Sequence, residues 1–151
     1  MDITLTKPRA WQHWKETNHV ALLAAFEDSI TGTRVRGYCQ GLSRDLSADC
    51  RIVEHVWLFN TFRLHELQEI AAEEASASDL VIMSVHQAHS LPDEVKSWID
   101  LWLRPRVRHP AVLLALLDPE EERPPNRVQA YLQEVANRGG MEFLVEAADG
   151  T

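Results

Sequence analysis

The sequence is short of several things, and each shortage excludes a class of protein. It has two cysteines in 151 residues. Cys39 and Cys50 lack the close spacing of a metal-binding or redox pair, so they read as reduced thiols in a cytoplasmic protein. Positive charge is also scarce: 15 Lys and Arg face 23 Asp and Glu, for a formal net charge of -8. Such a chain has no electrostatic footprint for a nucleic-acid backbone or an anionic membrane surface. No apolar run approaches the length that spans a bilayer. The opening Met1-Asp2-Ile3-Thr4-Leu5-Thr6-Lys7-Pro8 has no signal-peptide h-region. No serine, cysteine or lysine sits in a local signature of nucleophilic catalysis.

What is present is regular alternation. Five apolar runs read as strands: Val20 to Phe26, Arg51 to Phe59, Leu80 to Val85, Ala111 to Leu117 and Met141 to Val145. Between them lie four helical patterns. The first places Val35, Tyr38, Cys39, Leu42 and Leu46 on one stripe. The second is capped by Asn60 or Thr61 and buries Phe62, Leu64, Leu67, Ile70 and Ala71. The third carries Leu91, Val95, Trp98, Ile99, Trp102 and Leu103, and Pro105 stops it. The fourth starts after Asn126, carries Val128, Tyr131, Leu132 and Val135, and ends at Gly139 and Gly140.

Strand–helix alternation of this kind predicts an α/β three-layer sandwich with a parallel sheet in the doubly wound order 2-1-3-4-5. One domain is expected over residues 19–147. An N-terminal arm precedes it over 1–18, with Trp11 and Trp14 covering part of the core, and a tail follows over 148–151. In this order ligands bind beyond the C-terminal strand ends, beside strands one and three. The site should therefore come from Glu27 to Thr33, His86 to Ser90 and Asp118 to Pro125.

Within the first of these segments, Ser29-Ile30-Thr31-Gly32-Thr33 lies between a buried strand and a helix start. Hydroxyls, a glycine and a helix N-terminus in that position suit a phosphate group. The same residues are equally a helix cap and a tight turn. The arrangement resembles the FMN phosphate loop of the flavodoxin family, which alternates Ser and Thr around a Thr-Gly step. Asp79-Leu80-Val81-Ile82 and the later Leu91-Pro92-Asp93-Glu94-Val95-Lys96-Ser97-Trp98-Ile99-Asp100 are similar to flavodoxin-like proteins and FMN reductases. The resemblance spans about Val20 to Val145. It implies a flavodoxin-like fold, with FMN or another small phosphorylated ligand as cofactor and redox chemistry as the activity. Ser29, Thr31, Gly32 and Thr33 would hold the phosphate, and His86 with the backbone of 87–90 would contact the isoalloxazine.

The sequence departs from that family in three ways. The loop is about a residue short, Glu27 and Asp28 place negative charge at its entrance, and no aromatic residue follows strands three or four to stack on a flavin. These departures support an alternative: a non-enzymatic interaction or regulatory module of the same fold that has lost the cofactor. The acidic pair also resembles that of receiver domains. However, Ser84-Val85-His86 replaces their acceptor aspartate, and Glu146-Ala147 replaces their lysine.

His86 and His89 could form an acid–base pair, since both can titrate near neutrality, or a metal pair if Glu27 and Asp28 approached to supply the further ligands. As loop histidines they read as polar surface, and no metal is assigned. Trp98 and Trp102 share a helix face, which predicts either core packing or a homodimer that buries them across a two-fold axis. The cations Arg104, Arg106, Arg108 and His109 complement the helix C-terminal dipole.

Overall fold

The computed structural model describes residues 7–46, 48–86, 90–105, 110–118 and 127–147. Helix α1 (Trp11–Thr17) leads into strand β1 (His19–Phe26), helix α2 (Ser29–Asp45) and strand β2 (Arg51–Leu58). A short 3-10 helix, Phe59–Arg63, precedes α3 (His65–Ser76). Then come β3 (Leu80–Ser84), α4 (Asp93–Leu103), β4 (Val112–Leu117), α5 (Arg127–Gly139) and β5 (Glu142–Ala147). Among the described residues the sheet has five strands in the order β2-β1-β3-β4-β5, and every pairing is parallel. This is the flavodoxin-like topology that the alternating pattern predicts.

Strand pleating divides the core in two. Leu23, Ala25, Val81, Met83, Leu113 and Ala115 point to one face and pack with Ala71 of α3, Trp98 of α4 and Leu132 of α5. Leu22, Ala24, Ile82 and Leu114 point to the other face and pack with Val35 and Leu42 of α2 and with Trp11 and Trp14 of α1. Because both faces are covered, β3 and β4 are buried at every position, which is why they read as unbroken apolar runs. The two α1 indoles lie 6.2 Å apart. Just before them, the Arg9 amide donates to Glu142 Oε1 of β5 at 2.8 Å. The N-terminal segment therefore lies across the sheet face beside α2.

The chain runs outward from β1 to β2, then returns to β3 on the other side of β1. The crevice where direction reverses lies at the C-terminal ends of β1 and β3. Register places Phe26 beside Ser84 at that end.

Two features differ from the sequence reading. β2 ends at Leu58, and Phe59 and Phe62 enter the core from the 3-10 helix. The tighter 3-10 turn shifts the phase of the following stripe. Helix α3 consequently buries Gln68, Ala71, Ala72 and Ala75, while Leu64 and Ile70, expected inside, are 61% and 48% exposed. The alanines leave volume to Phe62, which stacks on Trp98 at 4.6 Å and 18°.

The second difference concerns the expected homodimer through helix three. Trp98 and Trp102 are both 0% exposed within their own chain, with rings 5.9 Å apart. Neither indole is left to be buried across a two-fold axis. Replacing Trp98 with alanine removes a fully buried indole and its stacking on Phe62. Trp98→Ala should cost about 3–5 kcal/mol of stability, read from urea unfolding, and should leave the sedimentation coefficient of the folded protein unchanged.

Candidate functional site

Strand β1 gives way to α2 through two acidic residues. The Glu27 amide donates to the Ser84 carbonyl at 3.2 Å, so the β1–β3 pairing continues one residue beyond the strand. Asp28 is extended and acts as the N-cap of α2. Its Oδ1 accepts from the Thr31 amide at 3.0 Å. In return, Thr31 Oγ1 accepts from the amides of Glu27 and Asp28, each at 2.9 Å. The hydroxyl proton lies within reach of the Asp28 carbonyl at 3.0 Å and of its carboxylate at 3.2 Å. This is a capping box, in which orphan donors at a helix start are satisfied reciprocally. The box is anchored below by β3, where Ser84 Oγ donates to the Thr31 carbonyl at 3.1 Å.

The structure thus places Ser29, Thr31, Gly32 and Thr33 in the first turns of α2 rather than in a loop. Thr31 is 0% exposed, and its hydroxyl belongs to the cap. The exposed Thr33 donates its hydroxyl back to the Ser29 carbonyl at 2.9 Å. Gly32 has a packing reason of its own: a Cβ there would lie 3.0 Å from Cε2 of the Phe26 ring. The glycine lets the helix start close over the end of β1.

His86 follows β3 and comes to the same place from the other strand. Its Nε2 forms a short ion pair with Asp28 Oδ2 and lies 3.6 Å from Glu27 Oε2. With two carboxylates facing it, that nitrogen carries a proton. The hydrogen bond to Asp28 raises the His86 pKa above its ordinary range. Burial opposes this, and the charges of Asp28, Glu27 and Asp118 add to it. For Asp28, burial alone would raise the pKa, but the Thr31 amide, the His86 bond and charge, and the Thr31 hydroxyl outweigh it and hold the carboxyl below the usual value.

One more pair completes the group. Asp118, directly after β4, is buried and meets Arg34 of α2 at 2.5 Å. Sequence reasoning included Asp118 in a site loop but did not single it out, and it missed Arg34. The available signal was an arginine one turn into a helix that starts beside the acidic strand ends. His89, the backbone of 87–89 and the segment 119–125 lie outside the described residues. Cys39 is not a candidate nucleophile, since burial, then the charge and hydrogen bond of Glu54, push its thiol up to about 12.

Glu27, Asp28 and His86 each offer one ligand atom, all within 4.8 Å of one another. The chemistry available at this edge is therefore two oxygen donors, one nitrogen donor and a neighbouring ion pair. Among known proteins, no family model and no curated relative matches the sequence.

The two shifted groups make stability depend on pH in opposite senses. His86 binds its proton more tightly when folded, so its contribution is complete below its ordinary value of 6.5 and fades as pH rises through the raised folded value. Asp28 contributes fully above its ordinary value of 3.8, and that contribution fades as pH falls through the lowered folded value. In chelator-treated buffer, stability from this pair should be greatest between 3.8 and 6.5. His86→Asn should flatten the alkaline decline seen in urea midpoints. Asp28→Ala should lose about 0.5–2 kcal/mol through the cap.

Proposed function

We propose that this chain is a non-enzymatic interaction or regulatory module of flavodoxin-like topology. The observation that carries this reading is the occupied N-terminus of α2. The Asp28 carboxylate caps the Thr31 amide, and the Thr31 hydroxyl is spent on Glu27 and Asp28. An incoming phosphate would meet two carboxylates where a phosphate-binding helix start offers free donors. Gly32 serves the Phe26 contact rather than close approach of a ligand.

Exposed apolar side chains support a partner surface. Ile30 on α2 and Val56 and Leu58 on the edge strand are 53%, 52% and 38% exposed. The free thiols of Cys39 and Cys50 support a reducing, cytoplasmic setting. No helix among the described residues is long and apolar enough to cross a membrane.

The second reading is FMN or another small phosphorylated ligand held by Ser29, Thr31, Gly32, Thr33 and His86. Its support is positional, because the crevice lies at the switch point of a 2-1-3-4-5 sheet. A homodimer would need a surface other than Trp98 and Trp102.

The visible spectrum of freshly purified protein and a fluorescence titration with FMN test the leading reading. The expected results are a colourless protein and no FMN binding tighter than about 1 mM. A yellow protein, or saturable quenching below that concentration, would overturn it in favour of the second reading.

A further inference from the structure

The electrostatics that disfavour a phosphate at this edge favour the opposite charge. We propose that Glu27, Asp28 and His86 form a divalent-cation site, with two carboxylate oxygens and one imidazole nitrogen as ligands and water in the remaining positions. This goes beyond the interaction-module reading and does not depend on it.

Three observations carry the site. First, the donors come from two strands whose spacing is fixed by the sheet. Phe26 and Ser84 are register partners, and the Glu27 amide extends that pairing by bonding the Ser84 carbonyl. The ligand atoms of Glu27 and Asp28 on one strand end and His86 on the other fall within 4.8 Å of one another.

Second, the Asp28 carboxylate is already oriented. Its Oδ1 is held by the Thr31 amide, which leaves Oδ2 directed at His86. Ligating carboxylates in metal centres are held by outer hydrogen bonds of this kind. Here the outer group is buried and is itself braced, since Ser84 Oγ donates to the Thr31 carbonyl.

Third, the donor set has a definite chemistry. Two carboxylates and a neutral imidazole balance a divalent charge. Mixed nitrogen and oxygen donors without sulfur suit Zn²⁺ or Mn²⁺, whereas Mg²⁺ and Ca²⁺ prefer oxygen alone. The imidazole coordinates through its Nε2 lone pair, so a cation and a proton exclude each other there. The nearby Asp118 is matched by Arg34 and is not needed as a ligand.

The test uses the full chain after chelation and desalting. Mn²⁺ binding is read from loss of the free-ion electron paramagnetic resonance signal, and Zn²⁺ and Mg²⁺ binding by calorimetry. One Mn²⁺ or Zn²⁺ per chain is expected, with Mg²⁺ weaker. Glu27→Gln leaves the α2 cap intact and should weaken binding about tenfold or more, as should His86→Asn. Thr31→Val should weaken it by about 10–100-fold through loss of positioning, and Thr31→Ser should restore it. Co²⁺ substitution should give a spectrum without sulfur charge-transfer bands, and Cys50→Ser should not change affinity. The proposal is overturned if the folded parent takes up neither Mn²⁺ nor Zn²⁺ at millimolar metal. It is equally overturned if Glu27→Gln and His86→Asn, shown folded by circular dichroism, bind as the parent does.

Discussion

A single buried residue, Thr31, ties β1, α2 and β3 into one joint. It accepts from the last amides of the β1 exit, and its own amide is held by Asp28. Its carbonyl is held in turn by Ser84 of β3. The direction in which α2 leaves the sheet, the setting of the Asp28 carboxylate and the approach of His86 all follow from this joint. A buried polar network of this kind is worth having only when each member is satisfied, and the hydroxyl, amide and carbonyl of Thr31 all have partners. The joint also bears on the small residue next to it, because with the helix held this close a Cβ at Gly32 would sit tightly against the Phe26 ring, at 3.0 Å.

Around the joint the fold follows from which strands are covered twice. β3 and β4 are central and wholly buried, while β2 at the edge has partly exposed residues along both faces. Glu74 of α3 braces β2 from one side: its carboxylate accepts from Trp57 Nε1 at 2.7 Å and pairs with His55 Nδ1 at 3.2 Å. The exposed Val56 and Leu58 belong to the opposite pleat of that strand, where α2 leaves them uncovered.

Much of the fold was legible because its signals are local. Unbroken apolar runs such as Leu80 to Val85 mark strands buried on two faces, and the strand–helix alternation leads to the 2-1-3-4-5 order. The stripe of α3 was misread because Phe59–Arg63 form a 3-10 turn, which sequence periodicity at 3.6 residues does not register. At the candidate site, the strand ends that converge were legible and the pairings among their side chains were not. Ser29 to Thr33 lie at the switch point, but a Ser/Thr-rich helix start reads the same whether its hydroxyls face a ligand or its own cap. The contact between Asp28 and Thr31 that makes the cap is visible only in the folded turn. The meeting of His86 with Glu27 and Asp28 depends on strand register across more than fifty positions, which local patterns do not encode. Likewise, Trp98 and Trp102 suggested surplus apolar surface, whereas Phe62 and the alanines of α3 leave them fully enclosed.

The placement of α1 has a consequence for how the molecule is completed during synthesis. Its indoles help close the sheet face beside α2, and the residue that leads into it, Arg9, is bonded to Glu142 across 133 positions. That face cannot be sealed when the N-terminal segment leaves the ribosome, because β5 has not yet been made. The elements against which Trp11 and Trp14 pack, in β1, α2, β3 and β4, all follow them in the chain. The bond between Arg9 and Glu142 closes a loop of that span, and its loop-closure entropy can be met only once β5 has joined β4.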